Sequence, residues 1–247
     1  MKLKLGNKAL TTEFNFDLFN NGLLSQPNVL GHFNKIGISL SGGLDSLALL
    51  CLILTELELA DKLSSIPVTC YCVTKNDGCT YYSVRLLQQV EQRFNCKLSL
   101  VNNIYNPHAN AKPSYFNTNI LKNIVGAVPN LLLFSGDNLP PPPTIVKFNN
   151  TSGVKADPFF IAYNNLVSPF YHMHKPQILD IIYQIGCEDL IQYTHSCTKL
   201  PIGTCNNCFA CEERSWGFQE LAKLDPGTLI PDVSDITYKN TWQYSPK

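Results

Sequence analysis

The amino-acid sequence predicts an α/β fold, in which a parallel sheet carries helices on both faces. First, short apolar segments with the two-residue period of strands alternate along the chain with longer segments that have the period of helices. Second, turn-forming residues separate the two kinds of segment. Third, a chain of 247 residues with 45% hydrophobic residues is large and apolar enough to bury an extended core.

The elements can be assigned in chain order. The first strand is predicted at residues 35–40, where Ile36, Ile38 and Leu40 alternate with other residues and Gly42-Gly43 ends the strand. The same reasoning predicts strands at 68–74, 98–101 and 131–134, and helices at 45–58, 82–94, 114–128, 175–186 and 210–223. Residues 137–168 are rich in Pro and Asn and have no regular period, which is typical of a long functional loop.

The charge balance restricts the class of partner. Lys and Arg together number 19, as do Asp and Glu, so the chain lacks the overall basic field of proteins that grip long nucleic acids. A small-molecule substrate is therefore favoured and nucleic acid is disfavoured. The longest apolar run, residues 47–54, is too short to cross a bilayer, and we expect a cytoplasmic protein. In that compartment the ten cysteines indicate metal ligands or buried thiols rather than disulfides.

A candidate phosphate-binding loop follows the first predicted strand. Glycines without Cβ atoms let backbone N–H groups approach an anion, and the following helix directs its positive end to the same place. An acidic residue beside phosphates favours a triphosphate–magnesium site, because Mg²⁺ offsets the repulsion. We expect the following residues to bind the nucleotide: Ser39, Leu40, Ser41, Gly42, Gly43, Leu44, Asp45 and Ser46. The loop lacks the Gly-Lys-Ser/Thr ending of a Walker loop, and the alternative is a simple turn in which Asp45 caps the helix.

A cluster of cysteines near the C-terminus forms a second motif. Cys197, Cys205, Cys208 and Cys211 have the spacing C-x7-C-x2-C-x2-C, and four thiolates complete a tetrahedral zinc shell. The spacing also occurs in iron–sulfur proteins, so zinc and an iron–sulfur cluster both remain candidates at this point. His195 or the isolated Cys79 could substitute as a ligand, and unligated thiols are the remaining alternative.

Taken together, the two motifs resemble the 7-cyano-7-deazaguanine synthase family, the queuosine-pathway members of the PP-loop ATP-pyrophosphatases. The resemblance covers about residues 35–225. Besides the loop and the cysteines, it is carried by these short matches, which follow one another in the family's order: Pro169-Phe170, Lys175-Pro176-Gln177-Ile178, Thr194-His195-Ser196-Cys197, Arg214 with Phe218, and Asp225-Pro226.

The resemblance implies a Rossmann-like (HUP-type) PP-loop domain at residues 35–190. An N-terminal extension would precede it at 1–34, and a small zinc-binding helical module with a tail would follow at 191–247. It also implies ATP and Mg²⁺ as cofactors and structural Zn²⁺ on the four cysteines. From the residues themselves, the candidate catalytic residues are Asp45 in the loop and Lys175, which opens a helix and could reach a phosphate. The alternative for Lys175 is a solvated lysine at a helix start. The implied reaction adenylylates a deazaguanine carboxylate, replaces AMP by ammonia, and activates the amide again to form a nitrile.

The chain also departs from the family pattern. Lys75-Asn76-Asp77-Gly78 stands where the family has Tyr-Gly-Gln with a basic residue, and the middle region that helps to hold the base has no clear counterpart. We therefore expect a diverged member, whose small-molecule carboxylate or deazapurine could differ from the family's. Two alternatives stay open, a tRNA base-modifying enzyme of the thiolation type and a zinc interaction module with a relic ATP site. The sequence also leaves open whether the chain forms a homodimer.

Overall fold

The computed structural model describes residues 1–6, 12–19, 33–73, 78–104, 113–142, 161–163 and 165–229. The strands are β1 (Lys2–Leu5), β2 (Thr12–Asn15), β3 (Lys35–Ser39), β4 (Val68–Val73), β5 (Ser99–Ile104), β6 (Leu131–Phe134), β7 (Ile161–Tyr163) and β8 (Leu166–Val167). The helices are α1 (Leu44–Leu59), α2 (Cys79–Phe94), α3 (Pro113–Ala127), α4 (Lys175–Gln184) and α5 (Phe209–Glu220), and a 3-10 helix covers Glu188–Tyr193.

The main sheet has six strands in the order β5-β4-β3-β6-β8-β7. Five of them are parallel, and only β7 runs antiparallel, against β8. The chain leaves β3 towards β4 and β5 on one side and returns to β6 on the other side, so the strand order reverses between β3 and β6. In open α/β sheets, ligands bind beyond the carboxyl ends of the strands at such a reversal. The loop after β3 lies at this point.

Both faces of the sheet are covered. On one face, Ile36, Ile38 and Phe134 pack into the main core with α1, α2 and α4. On the other face, Leu131 and Leu133 pack with Leu121 of α3. Neighbouring residues of a strand point to opposite faces, which explains how β4 and β6 supply both cores. The predicted α/β fold with helices on both faces is confirmed.

The first residues of the chain contribute to the same core. Strands β1 and β2 form an antiparallel hairpin, and Leu5 and Phe16 are fully or almost fully buried in the main core. The Phe16 ring lies 6.3 Å from that of Phe134 in β6. The sequence analysis described residues 1–34 as an N-terminal extension and assigned no strand there, because two four-residue strands are too short to produce a clear period.

The regular elements agree closely with the sequence predictions, with exceptions in two places. Residues 137–168 were predicted as a loop, yet β7 and β8 lie within them, and residues 143–160 fall outside the described part of the chain. The 3-10 helix after α4 was not predicted either. Strands of two or three residues are set by pairing with a neighbouring strand rather than by their own sequence. Among the described residues, no helix is long and apolar enough to cross a membrane.

Candidate active site and metal centre

The turn after β3 depends on Gly42. Its φ is +74°, in the left-handed region, and an added Cβ would lie 2.7 Å from the Cβ of Tyr82 and 2.9 Å from the backbone nitrogen of Ser83. Only glycine combines this backbone conformation with so close an approach to α2. Gly42 thereby turns the chain from the sheet into α1.

Gly43 has a different environment. It is the N-cap of α1 with φ −92° and ψ 173°, and no side chain caps the helix. Asp45 lies in the first turn rather than at the cap, so the alternative in which it merely caps the helix is wrong. The Ser46 hydroxyl donates a hydrogen bond of 2.9 Å to the carbonyl oxygen of Gly43. The backbone N–H groups at this helix start face a region where negative charge is stabilised.

Three neighbouring segments fix the loop in place. The backbone N–H of His195 donates to the carbonyl oxygen of Gly42 over 2.8 Å. The buried Ser83 hydroxyl of α2 donates to the Leu40 carbonyl oxygen over 3.0 Å. From the end of β6, Gly136 approaches so closely that an added Cβ would lie 3.2 Å from three atoms of Asp45. The loop is therefore held from both sides of the strand-order reversal.

A buried ion cluster links the loop to the C-terminal helices. The Lys175 ammonium, at the start of α4, lies 2.5 Å from both carboxylate oxygens of Asp45. It also lies 3.2 Å from Glu213 Oε2 in α5. Asn138 donates a hydrogen bond of 3.0 Å to the other oxygen, Glu213 Oε1. Residues 130 positions apart in sequence thus meet at one point.

The cluster changes the proton affinities of its buried members. Burial alone would lower the pKa of Lys175, but the carboxylates of Asp45 and Glu213 outweigh burial and raise that pKa above its ordinary value. Burial raises the pKa of Glu213, and the ammonium of Lys175 opposes this shift. Lys175 is therefore held as an ammonium beside the phosphate loop.

The four predicted cysteines come together. Their sulfur atoms all lie within 4.8 Å of one another, and Cys197, Cys208 and Cys211 are buried. A zinc ion with Zn–S bonds of ~2.3 Å would draw its sulfurs to ~3.8 Å apart, a small contraction from this arrangement. The cluster could therefore bind a metal ion. His195 and Cys79, the substitutes considered from the sequence, are not members of this group.

Backbone N–H groups surround the cysteine sulfurs. Leu200 N–H donates to Cys197 Sγ over 3.2 Å. Burial alone would raise the pKa of Cys208, but hydrogen bonds from the backbones of Thr198 and Cys211 lower it to about 6. Burial and the neighbouring Cys208 raise the pKa of Cys211 to about 12. A metal ion binds thiolates, and N–H donors of this kind stabilise the thiolate form.

Arg214 lies three residues after Cys211 and connects the cysteine module to the rest of the protein. It is buried and forms a two-pronged ion pair with Asp225, with both N–O distances 2.7 Å. It also donates to the Thr194 hydroxyl over 2.9 Å. Thr194 precedes His195, so this anchor supports the segment that holds the phosphate loop.

One cavity of about 140 Å³ joins the two motifs. Its walls come from the phosphate loop, from the ion cluster and from the cysteine module; they are Ser41, Gly43, Leu44, Asp45, Cys79, Lys175, His195, Ser196, Cys197, Thr198, Ala210 and Glu213. Of the eight residues expected to bind nucleotide, four line this cavity, whereas Ser39, Leu40, Gly42 and Ser46 do not. Sequence reasoning did not single out Glu213, because no local pattern marks its contact with Lys175.

Comparison with known proteins finds a family similarity in the C-terminal part of the chain. Residues 148–222 match the family described as "Queuosine biosynthesis protein QueC". Over 61 residues the chain is 28% identical to a 7-cyano-7-deazaguanine synthase of Chromobacterium violaceum. That stretch is 25% of this chain and 26% of the relative, so the match spans about a quarter of the curated protein's length.

Two solved structures are similar to this chain at low TM-scores. An NMN synthetase from Francisella tularensis is 10% identical, with 82% of this chain and 83% of that chain covered and a TM-score of 0.44. The U34-tRNA thiolase NcsA from Methanococcus maripaludis, solved with its 4Fe–4S cluster, is 18% identical, with 78% and 68% covered and a TM-score of 0.42. Both TM-scores are too low to transfer an activity.

Proposed function

We propose that this chain, which is a diverged QueC-like protein over residues 148–222, is an ATP-pyrophosphatase that adenylylates a small-molecule carboxylate and replaces AMP by nitrogen. The reference reaction is the conversion of 7-carboxy-7-deazaguanine to 7-cyano-7-deazaguanine. The observation that carries the proposal is the single cavity in which the phosphate loop, the Lys175 ammonium and the cysteine module meet.

The phosphate loop would bind the nucleotide through its backbone. Gly43 and Leu44 lie at the uncapped start of α1 and line the cavity, so their N–H groups are placed to receive an anion. Ser41 adds a hydroxyl on the same wall. The volume of about 140 Å³ is smaller than the ~300–1,000 Å³ of typical small-molecule pockets, so the phosphates and the reacting carboxylate would fill it. The remaining loop residues, Ser39, Leu40, Gly42 and Ser46, would set the loop's shape.

Lys175 and Asp45 would be the catalytic residues. The buried Lys175 ammonium would neutralise charge that develops on the α-phosphate and on the departing pyrophosphate. The Asp45 side chain is 27% exposed and faces the cavity, where it would bind Mg²⁺. Mg²⁺, when bound, supplies charge neutralisation of the triphosphate.

The bond changes balance without a redox partner. A carboxylate oxygen attacks the α-phosphorus, the bond between the α-phosphorus and the bridging oxygen breaks, and pyrophosphate leaves. Ammonia then attacks the carboxyl carbon of the adenylate, AMP leaves and the nitrogen loses a proton. The amide oxygen then attacks the α-phosphorus of a second ATP, a second pyrophosphate leaves, and loss of AMP and of both amide protons gives the nitrile. Carboxylates need this activation because oxide is a poor leaving group.

We further propose that the cysteines bind one structural Zn²⁺. Sulfurs within 4.8 Å of one another support a single tetrahedral ion. A four-iron cluster would need its thiolates farther apart, because each sulfur binds a different iron. The zinc module of residues 191–247 would then form one wall of the active site of the 35–190 domain.

The proposal is tested by product analysis. Purified protein is incubated with ATP, Mg²⁺, ammonia and a panel of deazaguanine and other carboxylates, and AMP, pyrophosphate, ADP and phosphate are quantified. We expect AMP and pyrophosphate, formed only when a carboxylate is present. Asp45→Asn should abolish them, whereas Asp61→Asn should not, because Asp61 is exposed with a φ of 54° that asparagine tolerates well. ADP and phosphate as products would contradict the proposal.

A further inference from the structure

Glu213 is the least exposed acid of the ion cluster beside the phosphate loop. Its side chain is 8% exposed, against 27% for Asp45. Both of its carboxylate oxygens have partners, since Lys175 lies 3.2 Å from Oε2 and the Asn138 amide lies 3.0 Å from Oε1. Glu213 therefore contacts Lys175 from α5, while Asp45 contacts it from the loop.

The charges of the cluster do not cancel. Asp45 and Glu213 each carry a negative charge and Lys175 carries one positive charge, which leaves the cluster with one excess negative charge. Lys175 engages both oxygens of Asp45 at 2.5 Å. A cation that binds Asp45 must compete with this ammonium for the same oxygens. The competition is easier if Lys175 has a second carboxylate that holds it.

We propose that Glu213 is a positioning residue, which retains Lys175 at the cavity wall when Asp45 turns from the lysine to Mg²⁺. This inference rests on the proposed function, because it assumes that a Mg²⁺–nucleotide enters the cavity. Without Glu213, Asp45 is the single counter-ion that the described residues offer to this buried ammonium, and it stays bound to it. With Glu213, the lysine keeps a counter-ion throughout, and Asp45 is released to the cation.

The backbone of α5 fixes Glu213 in this role. The same helix begins after Cys208 and contains Cys211, so the cysteine module and the lysine's second counter-ion belong to one rigid element. An added Cβ at Gly217, one turn further along, would lie 2.8 Å from Lys175 Cγ, which shows how closely α5 packs on the lysine stem. The Asn138 hydrogen bond orients the carboxylate from the opposite side.

The test compares Glu213→Gln with the matched variant Glu212→Gln, which removes the same charge one residue away at a half-exposed position. The probe is α,β-methylene-ATP, which cannot be cleaved at the reactive bond, titrated calorimetrically at several Mg²⁺ concentrations and with Mg²⁺ omitted. We expect Glu213→Gln to raise the Mg²⁺ concentration at half-saturation by about tenfold, a typical coupling between interacting sites. Binding with Mg²⁺ omitted should change by less than about twofold, and Glu212→Gln should behave as the wild type.

Other outcomes overturn the inference. If Glu213→Gln weakens binding equally with and without Mg²⁺, the residue has a general structural role and the inference is wrong. If it changes neither, Glu213 does not act through Lys175. Melting temperature and bound metal are measured for each variant, since Glu213 lies two residues from Cys211.

A second variant covers the case in which Glu213→Gln does not fold. Asn138→Ala removes the hydrogen bond that orients Glu213 but leaves every charge in place, so a smaller shift in the same direction, of about threefold, is expected. An unchanged Mg²⁺ dependence in that variant would contradict the inference. Wild-type protein that fails to bind the Mg²⁺–nucleotide would instead overturn the proposed function itself, together with the inference that rests on it.

Discussion

Replacement of the two loop glycines by alanine should affect different properties: Gly42→Ala should mainly lower stability, and Gly43→Ala should mainly weaken nucleotide binding. At Gly42 an alanine must adopt a φ of +74°, which costs ~1–2 kcal/mol. Its Cβ would lie 2.7 Å from Tyr82 Cβ and 2.9 Å from the backbone nitrogen of Ser83. Neither atom is the end of a flexible side chain, so overpacking adds ~1–3 kcal/mol. The free energy of unfolding should fall by about 2–5 kcal/mol in Gly42→Ala.

At Gly43 the backbone is already compatible with alanine, with φ −92° and ψ 173°. The nearest atoms to an added Cβ are His195 O and Ser41 Oγ, both at the ordinary contact distance of 3.4 Å. We expect Gly43→Ala to cost ~1 kcal/mol or less in stability, as for other N-cap changes. Because Gly43 lines the cavity, its methyl group should keep phosphates from the backbone and weaken Mg²⁺–nucleotide binding by about tenfold.

The pair is compared by urea and thermal unfolding and by calorimetric titration with Mg²⁺–α,β-methylene-ATP. For a chain of this size, ~1 kcal/mol shifts the melting temperature by ~2–4 °C, so Gly42→Ala should melt about 4–20 °C below the wild type. Gly43→Ala should melt within about 4 °C of it. Equal stability of the two variants would refute the inference that Gly42 is required for the backbone conformation of the loop, whereas Gly43 lines the ligand cavity.

Three further predictions concern the cysteines and the ion cluster. Elemental analysis should find about one zinc per chain. Cys208→Ser should lose the metal and its solubility together, because structural zinc contributes ~10 kcal/mol of folding free energy in small modules. Bound iron, or a folded wild type without metal, would contradict this prediction. Asp45→Asn should lower AMP release by about 100-fold or more. Its circular dichroism and melting temperature should stay close to those of the wild type, because Lys175 keeps Glu213 as a partner. Unchanged AMP release would remove Asp45 from the mechanism. Because the pKa of Lys175 is raised, the folded state binds the lysine's proton more tightly than the unfolded state does. The stabilising contribution of the ammonium is therefore complete below the ordinary pKa of 10.5. It is lost as the pH rises through the higher pKa of the folded state. The difference in unfolding free energy between wild type and Lys175→Met, measured in urea from about pH 9 to 11.5, should therefore shrink above about pH 10.5, and a constant difference would be inconsistent with a raised pKa.

The fold class and the two motifs could be predicted from the sequence because each depends on local order. The alternation at Ile36, Ile38 and Leu40 marks β3 by the two-residue period of a strand. The glycines after it mark a turn, and the spacing from Cys205 to Cys211 places thiols within reach of one ion. Each of these features can be predicted from the spacing of residues that are close in sequence, without information about the rest of the chain.

The individual role of each loop glycine could not be predicted from the sequence. The sequence assigned Gly42 and Gly43 the same role, the approach of backbone N–H groups to an anion. The structure separates them, because Gly42 meets α2 and has a left-handed φ, whereas Gly43 borders the cavity. Which neighbour approaches a glycine is decided by packing between α1 and α2, and the local sequence carries no record of it.

The sequence by itself determined which chemical groups the chain possesses: a phosphate-type loop, four clustered thiols, and a lysine at a helix start. The tertiary structure alone decided that they share one cavity. Asp45, Lys175 and Glu213 meet because β3 and β6 are neighbours at the reversal of strand order and because α4 packs between α1 and α5. Strand order and helix packing arise from the burial of side chains far apart in sequence, so the partner of a buried charge such as Lys175 cannot be read from its own segment.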